Sequence, residues 1–251
     1  MNKLYNKSEL TFSILFICIY VIGASLCDVF SDMVNISKVF TFPFLLVLTT
    51  ILFIWIKRNN LTQKYGLSKP RFGAKKFLYY VPLIILISTN LWFGVKQNFG
   101  WLESTLNVLT MLCVGIVEEL IFRGLLFRAM EKNNVKSAII VSSITFGIGH
   151  IVNLLTLGNS GLLSNICQVF YAMAVGFLFV IMFYKGGSLI PCILTHSLVN
   201  ALSVFQNTDA ISGVIEILIS LVIIAVSVIY SIILLKTLRV DNGYNHNNEN
   251  M

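Results

Sequence analysis

Charge is scarce in this chain: 12% of its 251 residues are Asp, Glu, Lys or Arg, against 57% that are hydrophobic. Soluble domains carry about a quarter charged residues, so a water-soluble fold is a poor reading. Cysteine is equally uninformative as a scaffold. Cys18, Cys27, Cys113, Cys167 and Cys192 all lie in apolar stretches, without the clustered spacing of a zinc knuckle or a disulfide framework. Acidic residues number 11 against 18 basic ones, a net charge of +7. The excess sits in short loops between apolar runs rather than on one amphipathic face, so it reads as membrane topology and not as a nucleic-acid surface.

Long hydrophobic runs are what the chain does have. Crossing the hydrocarbon core takes about 20 apolar helical residues, and the sequence offers such runs at roughly 11–29, 39–56, 77–95, 104–127, 137–157, 164–184, 187–205 and 211–235. The expected fold class is all-α: a polytopic integral membrane protein of about eight transmembrane helices forming a single domain over 1–240. The polar, Asn-rich stretch 241–251 is expected to be a disordered tail. The first run follows Lys3 and Lys7 as a signal peptide would. It is long for one, however, and large Leu26 precedes Cys27 where a lipoprotein signal needs a small residue, so it reads as a retained helix.

The basic residues orient these spans. With the N-terminus inside, Lys3, Lys7, Lys57, Arg58, Lys64, Lys69, Arg71, Lys75, Lys76, Arg128, Lys132, Lys136, Lys185, Lys236 and Arg239 are all cytoplasmic, fifteen of the 18. Lys38 and Lys96 fall outside, and Arg123 falls within a span. Short loops obey the positive-inside rule, so the localisation expected is multi-pass in the cell membrane with both termini cytoplasmic. The 57–76 loop carries seven of these residues and no acidic one, which suits contact with anionic headgroups.

An ionisable group at membrane depth costs kilocalories, so each calls for a partner or a function. Here they gather in Glu118-Glu119-Leu120-Ile121-Phe122-Arg123, in Phe146-Gly147-Ile148-Gly149-His150 and in His196-Ser197-Leu198-Val199-Asn200. Counted from the cytoplasmic ends of their spans, Glu118, His150 and His196 are all roughly 14–20 Å deep. Glu119 and Arg123, four residues apart, share a helix face and pair as structural support, while Glu118 is turned about 100° away and is the freer carboxylate, suited to act as a general base. His196 and Asn200 likewise share a face, and an Asn carboxamide is a neutral donor suited to a developing oxyanion. Gly147 and Gly149 would let a neighbouring backbone approach the His150 helix, and Pro191 would open its helix one turn before His196. Glycine and proline are common in membrane helices, and a lone His–Asn pair usually just bridges helices. The coincidence of a second His and a free Glu at one depth is what favours catalysis.

Glu118-Glu119-x-x-x-Arg123, Phe146-x-x-x-His150 and His196-x-x-x-Asn200, ordered and each in its own span, resemble the motifs of the CPBP intramembrane proteases. That family includes the eukaryotic CAAX prenyl endopeptidases of the Ras-converting type and the bacterial Abi proteins of bacteriocin processing and self-immunity. The resemblance covers 118–200, about a third of the chain. It implies an eight-helix fold with a conical cavity opening towards the cytoplasm, and an intramembrane endopeptidase that cleaves a membrane-associated protein or peptide. It further implies that Glu118 and His150 activate water, that His196 and Asn200 line the oxyanion site, and that Glu119 and Arg123 support them. Metal dependence stays open: Glu118, His150 and His196 could hold zinc or simply orient water, and no His-Glu-x-x-His helix is present.

Other functions keep some standing. A non-catalytic membrane scaffold or bacteriocin-immunity protein could bind a partner in the same cavity, although an idle protein has no reason to keep all four residues. A proton-coupled transporter would be expected to carry an inverted repeat, and none is visible. Ile-, Asn- and Lys-rich usage suggests an AT-rich bacterial genome, which favours a leader peptide, a signalling peptide or a membrane protein over a prenylated substrate. Reporter fusions after Lys76, in the 158–162 loop and at Met251 are expected to report inside, outside and inside. An outside reading at Met251 would mean the spans are miscounted.

Overall fold

A computed structural model describes residues 1–151 and 161–238; the expected tail at 241–251 and most of the 158–162 loop lie outside the described residues. The fold is all-helical, as composition requires, with no strand among the described residues. In chain order the helices are α1 (Asn2–Lys7), α2 (Glu9–Met33), α3 (Thr41–Arg58), α4 (Val81–Ser88), α5 (Trp101–Glu131), α6 (Val135–Gly149), α7 (Leu162–Gly186), α8 (Ile190–Ser203) and α9 (Gly213–Thr237). Their starts are set by local chemistry. Ser8 accepts a hydrogen bond from the Thr11 N–H, Asn134 from Ser137 and Ser212 from Ile215, each capping donors that a helix leaves unpaired in its first turn.

Among the described residues five helices, α2, α3, α5, α7 and α9, are long and apolar enough to cross a membrane. The 25 residues of α2 rise about 37 Å, more than the roughly 30 Å of hydrocarbon. The other three expected spans are shorter. Helix α6 has 15 residues, residues 152–157 of its expected span lying outside the described residues, and α8 has 14, about 22 and 21 Å. The span expected at 77–95 is broken: Leu78, Tyr79 and Tyr80 turn into the left-handed region (φ +49°, +51° and +59°) before the eight residues of α4, and a 3₁₀ turn at Thr89–Leu91 follows. Hydropathy could not reveal this, because apolarity constrains burial and not φ. The chain still travels the full depth there. Phe77 accepts a hydrogen bond from the Tyr230 hydroxyl at one end, and the Lys96 N–H bonds the Phe205 carbonyl at the other. Pro191 corrects a second expectation. It sits in the first turn of α8, where a missing N–H costs nothing, so it starts that helix instead of opening it.

Lipid and protein divide the helix faces. Ile14, Ile22 and Leu26 of α2 and Val214, Leu218, Leu221 and Ile229 of α9 are exposed, as outward-facing residues in hydrocarbon should be. Inside, one cluster joins Phe12, Phe16, Leu52, Trp55, Val117 and Leu120, and another joins Phe127, Phe179, Phe183, Leu189 and Tyr230.

The bundle has two chemically different ends. Lys64 and Lys132 both bind Glu9 (2.7 and 2.9 Å), Asn2 binds Asn59, and the Arg71 N–H bonds the Gly186 carbonyl, which gathers α1 and the basic loops on one face. Beside them the Tyr65 phenol is buried, and that burial pushes its pKa well up, with the hydrogen bond to Tyr5 adding to it. At the opposite end Lys38 pairs with Asp28, Lys96 with Asp209, and Glu103 accepts from the Ser37 N–H.

Helix α5 lies against α8 at a point that only glycine allows. A Cβ on Gly115 would stand 2.5 Å from the Ser197 backbone nitrogen and 2.6 Å from its Cα, and Ser197 Oγ donates to the Leu112 carbonyl nearby. Small residues are what let backbones meet inside a membrane. Gly115→Ala must therefore push α8 away, with an expected loss of about 1–3 kcal/mol. Thermal unfolding in detergent checks this. An unchanged melting temperature would mean that the contact is not limiting.

Candidate active site

Three helices deliver the ionisable residues to one place. Glu118 ends the regular part of α5, and the next nine residues, Glu119–Phe127, form a π-helical stretch in which every residue is buried. Widened turns of this kind are often found at functional sites. Where this stretch begins, successive carboxylates stand on either side of one imidazole. His196 Nδ1 lies 2.9 Å from Glu119 Oε1, and its Nε2 lies 3.4 Å from Glu118 Oε2. Hydrogen positions are not fixed by this geometry, but a carboxylate at Nδ1 selects the ring orientation, and commonly the tautomer.

Behind His196 stands the expected ion pair. Arg123 Nη1 donates to Glu119 Oε1 at 2.9 Å, and neither side chain is exposed at all. The guanidinium carbon lies 4.0 Å from the Phe146 ring centroid and 5.7 Å from that of Phe179. Gly176 of α7 makes room for it, since a Cβ there would come within 3.1 Å of Arg123 Nη2. Glu119 Oε2 and two of the Arg123 nitrogens have no hydrogen-bond partner among the described residues. A pair satisfied only in part fixes a geometry more surely than it adds stability.

In front of His196 is a cavity of about 300 Å³. Glu118, His150 and Asn200, from α5, α6 and α8, line it together with Phe146 and Gly149. His150 sits where α6 ends, not in mid-helix as the 137–157 span implied, and the Asn165 side-chain amide holds its carbonyl at 2.9 Å. Phe146 connects the set. Its ring meets His150 edge-to-face at 5.4 Å and His196 at 5.5 Å, besides covering Arg123. Gly147 packs α6 tightly on α7, where a Cβ would meet the Val169 carbonyl at 2.9 Å. A Cβ on Gly149 would meet nothing among the described residues, and Gly149 lines the cavity instead.

Sequence reasoning missed Tyr20. Its hydroxyl donates to Glu118 Oε1 at 2.6 Å from the middle of α2, a helix that contributes no motif. A tyrosine in an apolar run gives no spacing signal, and only the packing of α2 on α5 brings it there. The other oxygen, Glu118 Oε2, is buried and accepts no hydrogen bond among the described residues.

The donor set does not fit zinc as it stands. Among the described residues no three His, Cys, Asp or Glu side chains converge on a common point, and His196 turns both ring nitrogens to carboxylates. The cavity also bears on orientation. Cytoplasmic basic loops and a cytoplasm-facing cavity would lie at one end of the molecule, whereas Asp28, Lys38 and Ser203, at the ends of α2, the α2–α3 loop and α8 away from the basic loops, line the cavity.

Residues 100–202 match the family model described as type II CAAX prenyl endopeptidase Rce1-like. The matched stretch contains the Glu118, His150 and His196 motifs and excludes Tyr20, Asp28 and Lys38. No curated protein and no solved structure matches the chain.

Removing one member of a buried pair leaves the other charge uncompensated. Arg123→Ala is expected to cost about 3–5 kcal/mol, and Glu119→Gln somewhat less, because the amide can still accept from Arg123. Loss of membrane-accumulated protein and of melting temperature checks both; an Arg123→Ala variant as stable as the parent would contradict the pairing.

Proposed function

We propose that this chain is an intramembrane endopeptidase that hydrolyses a peptide bond of a membrane-associated protein or peptide within the cavity. The observation that carries the reading is the convergence of Glu118, His150 and Asn200 on one cavity, with His196 anchored behind them by Glu119. The Rce1-like match over residues 100–202 supports the same class of chemistry.

The reaction follows from the atoms present. A water between Glu118 and His150 gives a proton to Glu118 Oε2, the oxygen that Tyr20 leaves free. Its oxygen adds to the scissile carbonyl carbon, and the charge that develops on the carbonyl oxygen is met by the Asn200 carboxamide. His196, which stands behind the cavity with both ring nitrogens facing carboxylates, joins it only by turning Nε2 from Glu118 towards the cavity. When the intermediate collapses the C–N bond breaks, and Glu118 returns its proton to the leaving amine. One carboxyl thus serves as base and then as acid, which a group shielded from bulk water does well. Tyr20 orients it, and Glu119 fixes the His196 ring much as a buried carboxylate orients the base of a hydrolase triad.

A zinc-dependent version would use Glu118, His150 and His196 as ligands and would require His196 to turn away from a carboxylate. Metal analysis of the purified protein, with activity measured before and after chelation, separates the two. A non-catalytic scaffold or immunity protein would keep its function in Glu118→Gln.

Glu118→Gln, His150→Ala and His196→Ala are each expected to abolish cleavage while the protein still accumulates in the membrane. If Glu118→Gln stayed fully active and Glu119→Gln did not, base and support would be reversed. Asn200→Ala is expected to lower turnover by roughly 10²–10³ with little change in substrate affinity or melting temperature, and Asn200→Asp to be at least as harmful. Were Asn200 only a bridge between helices, the alanine variant would lose stability and keep its turnover. Both quantities should be measured on one preparation.

A further inference from the structure

The cavity is a pit with a closed floor and a polar rim, and the floor faces the basic loops. Tyr20 on α2, Leu45 on α3, Phe122 on α5 and Phe146 on α6 are the lining residues nearest that end on their helices. Below them the bundle is filled. Phe12, Phe16, Leu52 and Trp55 are all buried, with Phe12 ring centroids 4.7 Å from Phe16 and 4.8 Å from Trp55, and Tyr5 lies 4.9 Å from Trp55. Glu9, bound by Lys64 and Lys132, closes the surface over this aromatic layer.

The opposite end is built for water. Ser25, Asp28, Lys38, Thr41, Gln168 and Ser203 line the cavity there. Asp28 Oδ1 accepts from both Lys38 (2.8 Å) and Thr41 (2.5 Å), which holds the α2–α3 loop back at the side of the opening. Ser203 is exposed on the last turn of α8. A hydrolytic site needs water at Glu118, and a route through packed aromatics is closed to water where one along hydroxyls and an ion pair is open.

We infer that water and substrate enter from the face opposite the basic loops, which the Lys and Arg distribution makes the extracytoplasmic one. The peptide cleaved is then a segment presented at the outer leaflet, not a cytoplasmic C-terminus. The substrate half of this inference rests on the proteolytic reading; the entry face does not.

Accessibility tests the entry face directly. Ser203→Cys, at the rim, and Lys76→Cys, at the basic end, are each introduced into the full chain with its native cysteines replaced. Sealed right-side-out and inverted membrane vesicles are then treated with a membrane-impermeant maleimide. Ser203→Cys should label in right-side-out vesicles and lose labelling in inverted ones, and Lys76→Cys should do the reverse. If the cysteine-replaced chain fails to accumulate, the native-cysteine chain serves, with its own labelling subtracted. Labelling of Ser203→Cys only in inverted vesicles overturns the inference. Proteomics of membranes with the active chain and with Glu118→Gln locates the cut segments, and cuts confined to cytoplasmic segments also overturn it. Labelling needs no catalysis, so a chain that labels as expected and cuts nothing sinks the proteolytic reading while the entry face stands.

Discussion

A carboxylate and a guanidinium with no exposure to any solvent stand at the centre of α5, and the rest of the bundle is arranged around holding them together. Hydrocarbon tolerates neither charge alone. Their attraction is strong in a dry interior, but desolvation takes most of it back, so the surroundings decide whether the pair survives. Those surroundings come from every side: Phe146 and Phe179 cover the guanidinium, Gly176 admits it, and His196 shares the Glu119 oxygen that Arg123 binds. Three further helices are thereby referred to one point on α5. Because His196 is part of the compensation, the imidazole behind the cavity has little freedom to wander. The stability of the charged pair and the precision of the site are one constraint seen twice.

Much of this was legible before any coordinates. Charges in hydrocarbon are few and each is conspicuous, so Glu118, Glu119, Arg123, His150, His196 and Asn200 could be picked out by chemistry alone. The i, i+4 spacing of Glu119 and Arg123 predicted their contact, and that contact is made even though the intervening turn is π-helical. The segregation of basic residues also survives folding: Lys64, Arg71 and Lys132 gather on one face with α1, and Lys38 and Lys96 lie at the other end. Strong, local, one-dimensional signals carry through.

What was not legible depends on three-dimensional packing or on backbone angles. Tyr20 reaches Glu118 only because α2 crosses α5 at that depth, and nothing in an apolar run marks one tyrosine over another. The left-handed turn at Leu78–Tyr80 leaves hydropathy unchanged, so a broken segment reads as a whole span. His150 caps the end of α6 instead of sitting inside it, because hydropathy does not mark the residue at which a helix ends. Gly147 and Gly149 look alike in sequence, yet one is pressed against α7 and the other borders open space.

The two oxygens of Glu118 bring these strands together. One is occupied by Tyr20, from outside the motif-bearing helices, and the other is buried beside His196 without a hydrogen bond among the described residues. A carboxylate with both oxygens engaged would be a structural group. One with neither engaged would be free to rotate and would present no fixed lone pair to a water. Engaging one oxygen from α2 fixes the plane of the carboxylate and leaves its partner buried beside His196, without a hydrogen bond among the described residues. The same helix runs on from Tyr20 to Ser25 and Asp28 at the rim. The element that orients the Glu118 carboxylate therefore also forms a wall of the cavity, and any outward movement of α2 would loosen the hydrogen bond to Glu118. The width of the cavity and the orientation of Glu118 are coupled through one helix that carries none of the motifs.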